Sequence, residues 1–181
     1  MKRIRLHDKN FKICIPHDTI QEKIAVVADK LNRDYVRVEN PLFISVLNGS
    51  FMFTSDLLKM LDFQCELSFI KLSSYCGTSS TGEIREIMGL TSNVKGRSVI
   101  VVEDIVDTGA TIVELHDMLM KAGVKDLKIC TLLLKPDAYK KEIKINYAAI
   151  EIPNDFIVGY GLDYDELGRQ YRDIYVLDTT I

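Results

Sequence analysis

Residues 101–111 read Val-Val-Glu-Asp-Ile-Val-Asp-Thr-Gly-Ala-Thr, an apolar run ending on adjacent carboxylates, Glu103 and Asp104. A third carboxylate, Asp107, follows after two apolar residues, and Thr108, Gly109, Ala110 and Thr111 then open a new segment. In that segment Ile112, Leu115, Leu119 and Ala122 fall on one face of a helix. The first N–H groups of a helix have no internal acceptor and point along the positive end of its dipole. The backbone from Thr108 to Thr111 can therefore cradle a phosphate. Beside it, Glu103 and Asp104 can hold vicinal hydroxyls or a hydrated cation, which leaves Asp107 for proton transfer. An acidic turn with a Thr cap would explain the helix start alone, but it needs no three carboxylates.

Such a turn needs a frame. Ser98 to Val102 is short, β-branched and bounded by turn residues, the pattern of a buried strand. The acidic turn then belongs at the carboxyl edge of a parallel sheet, where α/β folds bind ligands. Further strands are expected at 42–47, 66–72 and 128–134, with shorter ones at 147–151, 156–160 and 174–178. Thr19 and Glu22 form a capping-box pattern for a helix reaching about Leu31, and a second helix is expected from about Met52 to Met60. Eight of the ten residues from 73 to 82 are Ser, Thr or Gly, too little apolar area to offset ordering entropy. A long loop of that kind inside a domain reads as a lid. Strands alternating with helices predict an α/β fold, a mostly parallel twisted sheet flanked by helices.

Bulk properties exclude several classes. At 181 residues the chain has the length of one domain, 1–181, with an ordinary globular composition of 47% apolar and 27% charged residues. No apolar stretch approaches the roughly 18 residues of a membrane span. The N-terminus MKRIRLHDKN is basic without the apolar run of a secretory signal. A net charge of −3 argues against a broad nucleic-acid face. Cys14, Cys65, Cys76 and Cys130 lack metal-ligand spacing, and Cys65 and Cys130 read as small core residues in strands. The expectation is a cytoplasmic, reduced protein with no membrane or nucleic-acid partner. His7, His17 and His116 are scattered and carry no assigned chemistry.

Leu47-Asn48-Gly49-Ser50 is a second strand-to-helix turn at the same sheet edge. Its amides can bind another anionic group, and Gly49 permits close approach. Alone, an Asn-Gly is an ordinary turn. Taken with 101–111, however, the chain resembles the type I phosphoribosyltransferases. The acidic segment is similar to their 5-phosphoribosyl-1-pyrophosphate (PRPP) signature. The whole is similar to the hypoxanthine/guanine branch over nearly its full length.

That resemblance implies a type I phosphoribosyltransferase fold with a small hood built from N- and C-terminal segments and a mobile loop at about 73–85. It makes Leu47, Asn48 and Gly49 the pyrophosphate loop, with a cis peptide between Leu47 and Asn48. It places Ser74 and Tyr75 on a flap that shields an oxocarbenium-like centre from water. Lys135, at a strand end, would donate to the exocyclic oxygen and N7 region of a purine. An ammonium has donors only, so it favours 6-oxopurines over adenine. Phe156 would stack on the base, with Ile157 adding backbone hydrogen bonds. Asp163 would hold a second Mg²⁺ near the purine, and Arg169 would contact pyrophosphate. Glu103 and Asp104 would orient the ribose hydroxyls, one of them through Mg²⁺. Where relatives often carry basic residues this chain has Asn48 and Ala110, which leaves the backbone cradles but removes side-chain charge. The implied activity is Mg²⁺-dependent transfer of phosphoribosyl from PRPP to hypoxanthine or guanine by a homodimer or homotetramer. A xanthine- or guanine-preferring enzyme and a PRPP-sensing regulator are the alternatives on the same fold.

Overall fold

The computed structural model describes residues 3–74, 84–88 and 92–179. In chain order the elements are β1 (Arg3–Leu6), β2 (Lys9–Ile15), α1 (His17–Tyr35), β3 (Leu42–Leu47), α2 (Phe51–Leu58), β4 (Glu66–Ser74) and β5 (Ile84–Met88). They continue with β6 (Ser98–Val106), α3 (Ala110–Lys121), β7 (Asp126–Leu134), β8 (Tyr147–Glu151), β9 (Ile157–Val158) and β10 (Ile174–Leu177). The larger sheet has the order β5-β4-β3-β6-β7-β8. Five of its strands are parallel, and β5 joins antiparallel at one edge.

The central strand β6 shows why the sheet takes helices on both faces. Side chains alternate across a strand. Ile100 and Val102 join a buried cluster with Ile20, Ile24 and Leu31 of α1 and Phe53 and Leu57 of α2. Val99 and Val101 face the other way, onto Ile112, Leu115 and Leu119 of α3. All of these residues are essentially inaccessible to solvent, each side chain contributing about 1.5–3 kcal/mol of burial relative to exposure. Parallel strands with crossover helices put the β3–α2 and β6–α3 turns at one carboxyl edge.

A second sheet, in the order β1-β2-β10-β9, is antiparallel and combines the two ends of the chain. It is the part of the chain for which the resemblance implies a hood. The hairpin β1–β2 was not foreseen from the sequence. Other boundaries also differ from expectation. Strand β6 continues past Val102 to Val106, because β7 pairs with it as far as Leu134. Helix α1 starts at His17 rather than Thr19 and runs on to Tyr35. Its N-cap is Pro16 without a side-chain cap bond, and the Ile20 amide bonds to the Pro16 carbonyl, so the Thr19–Glu22 capping box is not formed. Strand pairing takes both ends of the anticipated loop at 73–85, since β4 reaches Ser74 and β5 begins at Ile84. Tyr75 lies outside the described residues. Cys130 is buried in β7 as expected, whereas Cys65 precedes β4 and is only half-buried. Among the described residues no helix is long and apolar enough to cross a membrane.

Candidate active site

Two glycine turns stack one behind the other on Asp104. The Leu47–Asn48 peptide is cis, the bond at which the resemblance implies one. The next residue, Gly49, lies against the acidic strand end so closely that a Cβ there would be 1.6 Å from Asp104 Oδ2. Gly161, at φ 99°, approaches from the C-terminal side, and a Cβ on it would lie 2.0 Å from the Gly49 carbonyl oxygen. Only residues without a Cβ permit this stacking. A buried chain of hydroxyls holds the Gly49 turn from beneath. Ser45 Oγ is 2.7 Å from Ser50 Oγ and 2.8 Å from Thr54 Oγ1, and the Ser50 hydroxyl donates to the Val46 carbonyl.

Glu103 is buried, and its Oε2 has no hydrogen-bond partner. Burial pushes the Glu103 carboxyl well above the usual range, and the neighbouring Asp104 pushes the same way. Asp104 is itself pushed up to about 6 by burial, although the Ile105 amide donates to its Oδ1 at 2.9 Å. Arg169 lowers it and Asp163 raises it, so both lie within its field. Two buried acids, one with an orphaned oxygen, form a site that a further cation would stabilise.

Past the pair, Gly109 caps α3 in the left-handed conformation, φ 82°. A Cβ there would fall 2.4 Å from the Tyr139 ring, which accounts for glycine on both conformational and steric grounds. No side chain caps the helix, and the first-turn amides of Ala110, Thr111 and Ile112 have no acceptors within it. These residues, with Thr108 and Asp107, line a cavity of about 100 Å³. At its rim Lys135 Nζ bonds Asp107 Oδ2 at 2.7 Å, with Lys135 buried and Asp107 half-exposed. The Lys135 amide bonds the Val106 carbonyl, so β6 and β7 bring the two side chains together.

The C-terminal segment supplies the remaining wall. Arg169 donates to the Gly161 carbonyl at 2.9 Å and pairs with Asp163 Oδ1 at 2.9 Å. Asp163 Oδ2 accepts the Glu166 amide at 2.8 Å. Phe156 is 43% exposed, whereas Ile157 is buried in β9. The Tyr160 hydroxyl donates to Asp56 at 2.6 Å, and Gln21 donates to Asp56 at 2.9 Å, so α1 and α2 anchor this segment.

The phosphoribosyl transferase domain, as a family, matches residues 16–165. This chain belongs to the phosphoribosyltransferase family. It is 41% identical over 167 residues to the hypoxanthine-guanine phosphoribosyltransferase of Streptococcus pneumoniae, covering 92% of each chain. It is also 41% identical over 177 residues to the bifunctional protein TilS/HprT of Listeria monocytogenes. There the match covers 97% of this chain but only 27% of that protein's length. Its structure is similar to that of the Trypanosoma cruzi hypoxanthine phosphoribosyltransferase in complex with the product IMP. The TM-score is 0.87 and the identity 37%, covering 97% of this chain and 98% of that one.

The anticipated residues at the ends of β3, β6 and β7 share one edge of the larger sheet. Glu103, Asp104, Asp107 and the 108–111 turn end β6, Leu47 to Gly49 end β3, and Lys135 ends β7. Gly49, Asp104, Gly161, Asp163 and Arg169 form one contiguous group. Phe156 stands apart, packed on Phe11 of the hood at 5.9 Å between ring centres. Sequence reading missed Ser45 and Thr54, as well as Tyr139, Gln21 and Asp56, and gave Ser50 and Gly161 no role of their own. Their pairings are tertiary, and no local spacing announces them. The alternation Gly159-Tyr160-Gly161 was the one available signal, and both glycines have positive φ.

Proposed function

We propose that this chain is a purine-salvage enzyme that transfers the 5-phosphoribosyl group of PRPP to N9 of hypoxanthine, and of guanine, giving IMP or GMP and pyrophosphate. The observation that carries the reading is the Lys135–Asp107 pair, 2.7 Å apart, beside an open helix start and two charge-starved carboxylates. A 6-oxopurine presents O6 and N7 side by side, and the pair offers a matching donor and base. The Lys135 ammonium holds O6 as a donor. As the N9 lone pair bonds to C1′, the C1′–oxygen bond to pyrophosphate breaks and Asp107 takes the N7 proton. The first-turn amides of α3 hold the 5′-phosphate. The Gly49 turn and Arg169 receive pyrophosphate, Arg169 with its fork of donors. No covalent intermediate is needed, so positioning and charge neutralisation supply the catalysis.

The acidic pair fits Mg²⁺. Glu103 has an orphaned buried oxygen, and both carboxyls are raised, as expected where a cation is wanted. Among the described residues no cluster of three or more His, Cys, Asp or Glu could hold a metal alone. Mg²⁺ binds through a few carboxylates, substrate oxygens and retained waters. When bound, it neutralises charge on the leaving pyrophosphate. Glu103 and Asp104 orient the ribose hydroxyls and this ion. Asp163, whose oxygens take Arg169 and the Glu166 amide, would help to hold a second ion. The enzyme works in the cytoplasm as a homodimer or homotetramer on small-molecule substrates.

Steady-state turnover of hypoxanthine, guanine, xanthine and adenine with PRPP and Mg²⁺ tests the reading. Hypoxanthine and guanine should yield nucleotide and pyrophosphate, and adenine should not. A preference for xanthine would move the chain to the sister specificity. PRPP binding without nucleotide formation from any base would make it a regulator.

A further inference from the structure

The N-terminal hairpin, foreign to the sequence reading, is tied to the Phe156 ring by a set of contacts that the transfer reaction leaves unexplained. Its tight turn carries His7 at φ 49°, followed by Asp8 and Lys9. Opposite it is a second tight turn, Tyr164 to Leu167, with Asp165 and Glu166 also at positive φ and bonds between Tyr164 and Leu167 in both directions. The two turns are joined at several points. The Lys9 ammonium donates to the Tyr164 hydroxyl at 2.6 Å and lies 4.5 Å from the centre of its ring. The same hydroxyl donates to Asp8 Oδ1 at 2.8 Å. His7 Nε2 is 3.3 Å from the Asp165 carbonyl, and the His7 ring meets Tyr164 edge-on at 5.3 Å.

Tyr164 in turn meets Phe156 edge-to-face, 5.5 Å between centres at 87°. Phe11 of β2, fully buried, approaches Phe156 at 5.9 Å and Tyr164 at 6.3 Å. Phe156 is thus packed by two aromatic rings yet remains 43% exposed, which leaves surface open to a planar ligand. A stacking platform binds a base well only if its own plane is fixed before binding, because ordering the ring would otherwise be charged to affinity.

We propose that Tyr164, latched by the Asp8–Lys9 turn, is a positioning residue that fixes the ring of Phe156, so that the N-terminal hairpin sets affinity for the purine. The inference rests on the phosphoribosyl-transfer reading and on Phe156 as the stacking ring. The Lys9 ammonium and Asp8 carboxylate hold the Tyr164 hydroxyl from opposite hydrogen-bonding roles, and its ring edge transmits that fixation to Phe156.

Tyr164→Leu and Tyr164→Phe, compared with the unaltered chain, test it. Tyr164→Leu removes the ring and should raise KM for hypoxanthine about fivefold, within the range of one aromatic pair. KM for PRPP and the Mg²⁺ titration should stay within about twofold, a split that a general loss of structure would not produce. Tyr164→Phe keeps the ring and loses both latch bonds, so its hypoxanthine KM should fall between the other two. Equal KM for Tyr164→Phe and the unaltered chain would overturn the latch. Unchanged KM in Tyr164→Leu, or an equal rise for hypoxanthine and PRPP, would overturn the positioning role altogether. If the unaltered chain forms no nucleotide, the transfer reading fails first and this inference with it.

Discussion

In the proposed reaction Asp107 and Lys135 would divide the work at the purine edge, and single substitutions should separate them. Asp107→Asn keeps the size and hydrogen-bonding reach of the side chain but removes the base. Its kcat for hypoxanthine should fall by about 10²–10⁴, the usual worth of general acid–base catalysis, with PRPP binding retained. A near-normal kcat would place the proton transfer elsewhere. Lys135→Ala removes a buried donor that holds Asp107 at 2.7 Å. It should reduce kcat/KM for both hypoxanthine and guanine by at least tenfold, because a site built to donate to O6 then offers nothing. Affinity for PRPP, measured by equilibrium titration, should change little. Unaltered use of both bases would reduce Lys135 to a strand-end charge. These two side chains were legible in the sequence, but their contact was not. Residues 28 apart in the chain meet only because β6 and β7 are parallel neighbours.

Elements explain which parts of the site the sequence revealed. β6 and α3 were readable because burial on both faces forces a β-branched run, and the helix repeats its apolar residues at helical spacing. The 47–50 turn was readable as a turn, but its closeness to Asp104 was not, since no spacing encodes contact between separate strands. The β1–β2 hairpin escaped because β1 has only four residues and both strands are only partly buried, so alternation is weak. The Thr19–Glu22 pattern misled because Pro16, with its preset φ, lets the helix begin two residues earlier. Two glycines at element ends give a contrasting test. Gly49→Ala would force Asp104 aside, since the new Cβ falls 1.6 Å from its carboxylate. It should lower kcat/KM for PRPP by about 10²-fold, as expected for a misplacement of order 1 Å at a reacting centre. Gly96 has φ 73° with nothing within 4 Å of a new Cβ. Gly96→Ala should therefore cost about 1 kcal/mol of stability through backbone strain and leave turnover unchanged. Full activity in Gly49→Ala would show that the stacked turns tolerate displacement.

For the whole molecule, the acidic pair works against the fold that carries it. Asp104 titrates at about 6 in the folded chain because burial penalises its charge, against about 3.9 for an ordinary Asp in the unfolded chain. Between those values the folded state holds the extra proton, so the stability associated with this group falls as pH rises. Its contribution is fully present below about 3.9 and is lost on passing through about 6. Glu103 shifts the same way and extends the effect upward. At neutral pH and without ligands, the protein therefore carries a buried charge whose desolvation cost a neutral side chain would relieve. Asp104→Asn keeps an oxygen acceptor for the Ile105 amide and removes the charge. Its thermal midpoint should exceed that of the unaltered chain at pH 7.5, by about 2–4 °C for each kcal/mol relieved. The difference should shrink towards pH 5, where Asp104 is already protonated. Mg²⁺ with PRPP should reverse the order at pH 7.5, because bound ligand stabilises the chain that retains the carboxylate by mass action. Thermal melts of both proteins at pH 5, 6.5 and 7.5, with and without Mg²⁺ and PRPP, would check this. A lower midpoint for Asp104→Asn at pH 7.5 without ligands would mean that the ionised carboxylate stabilises the empty site. The raised pKa would then be the wrong account of it.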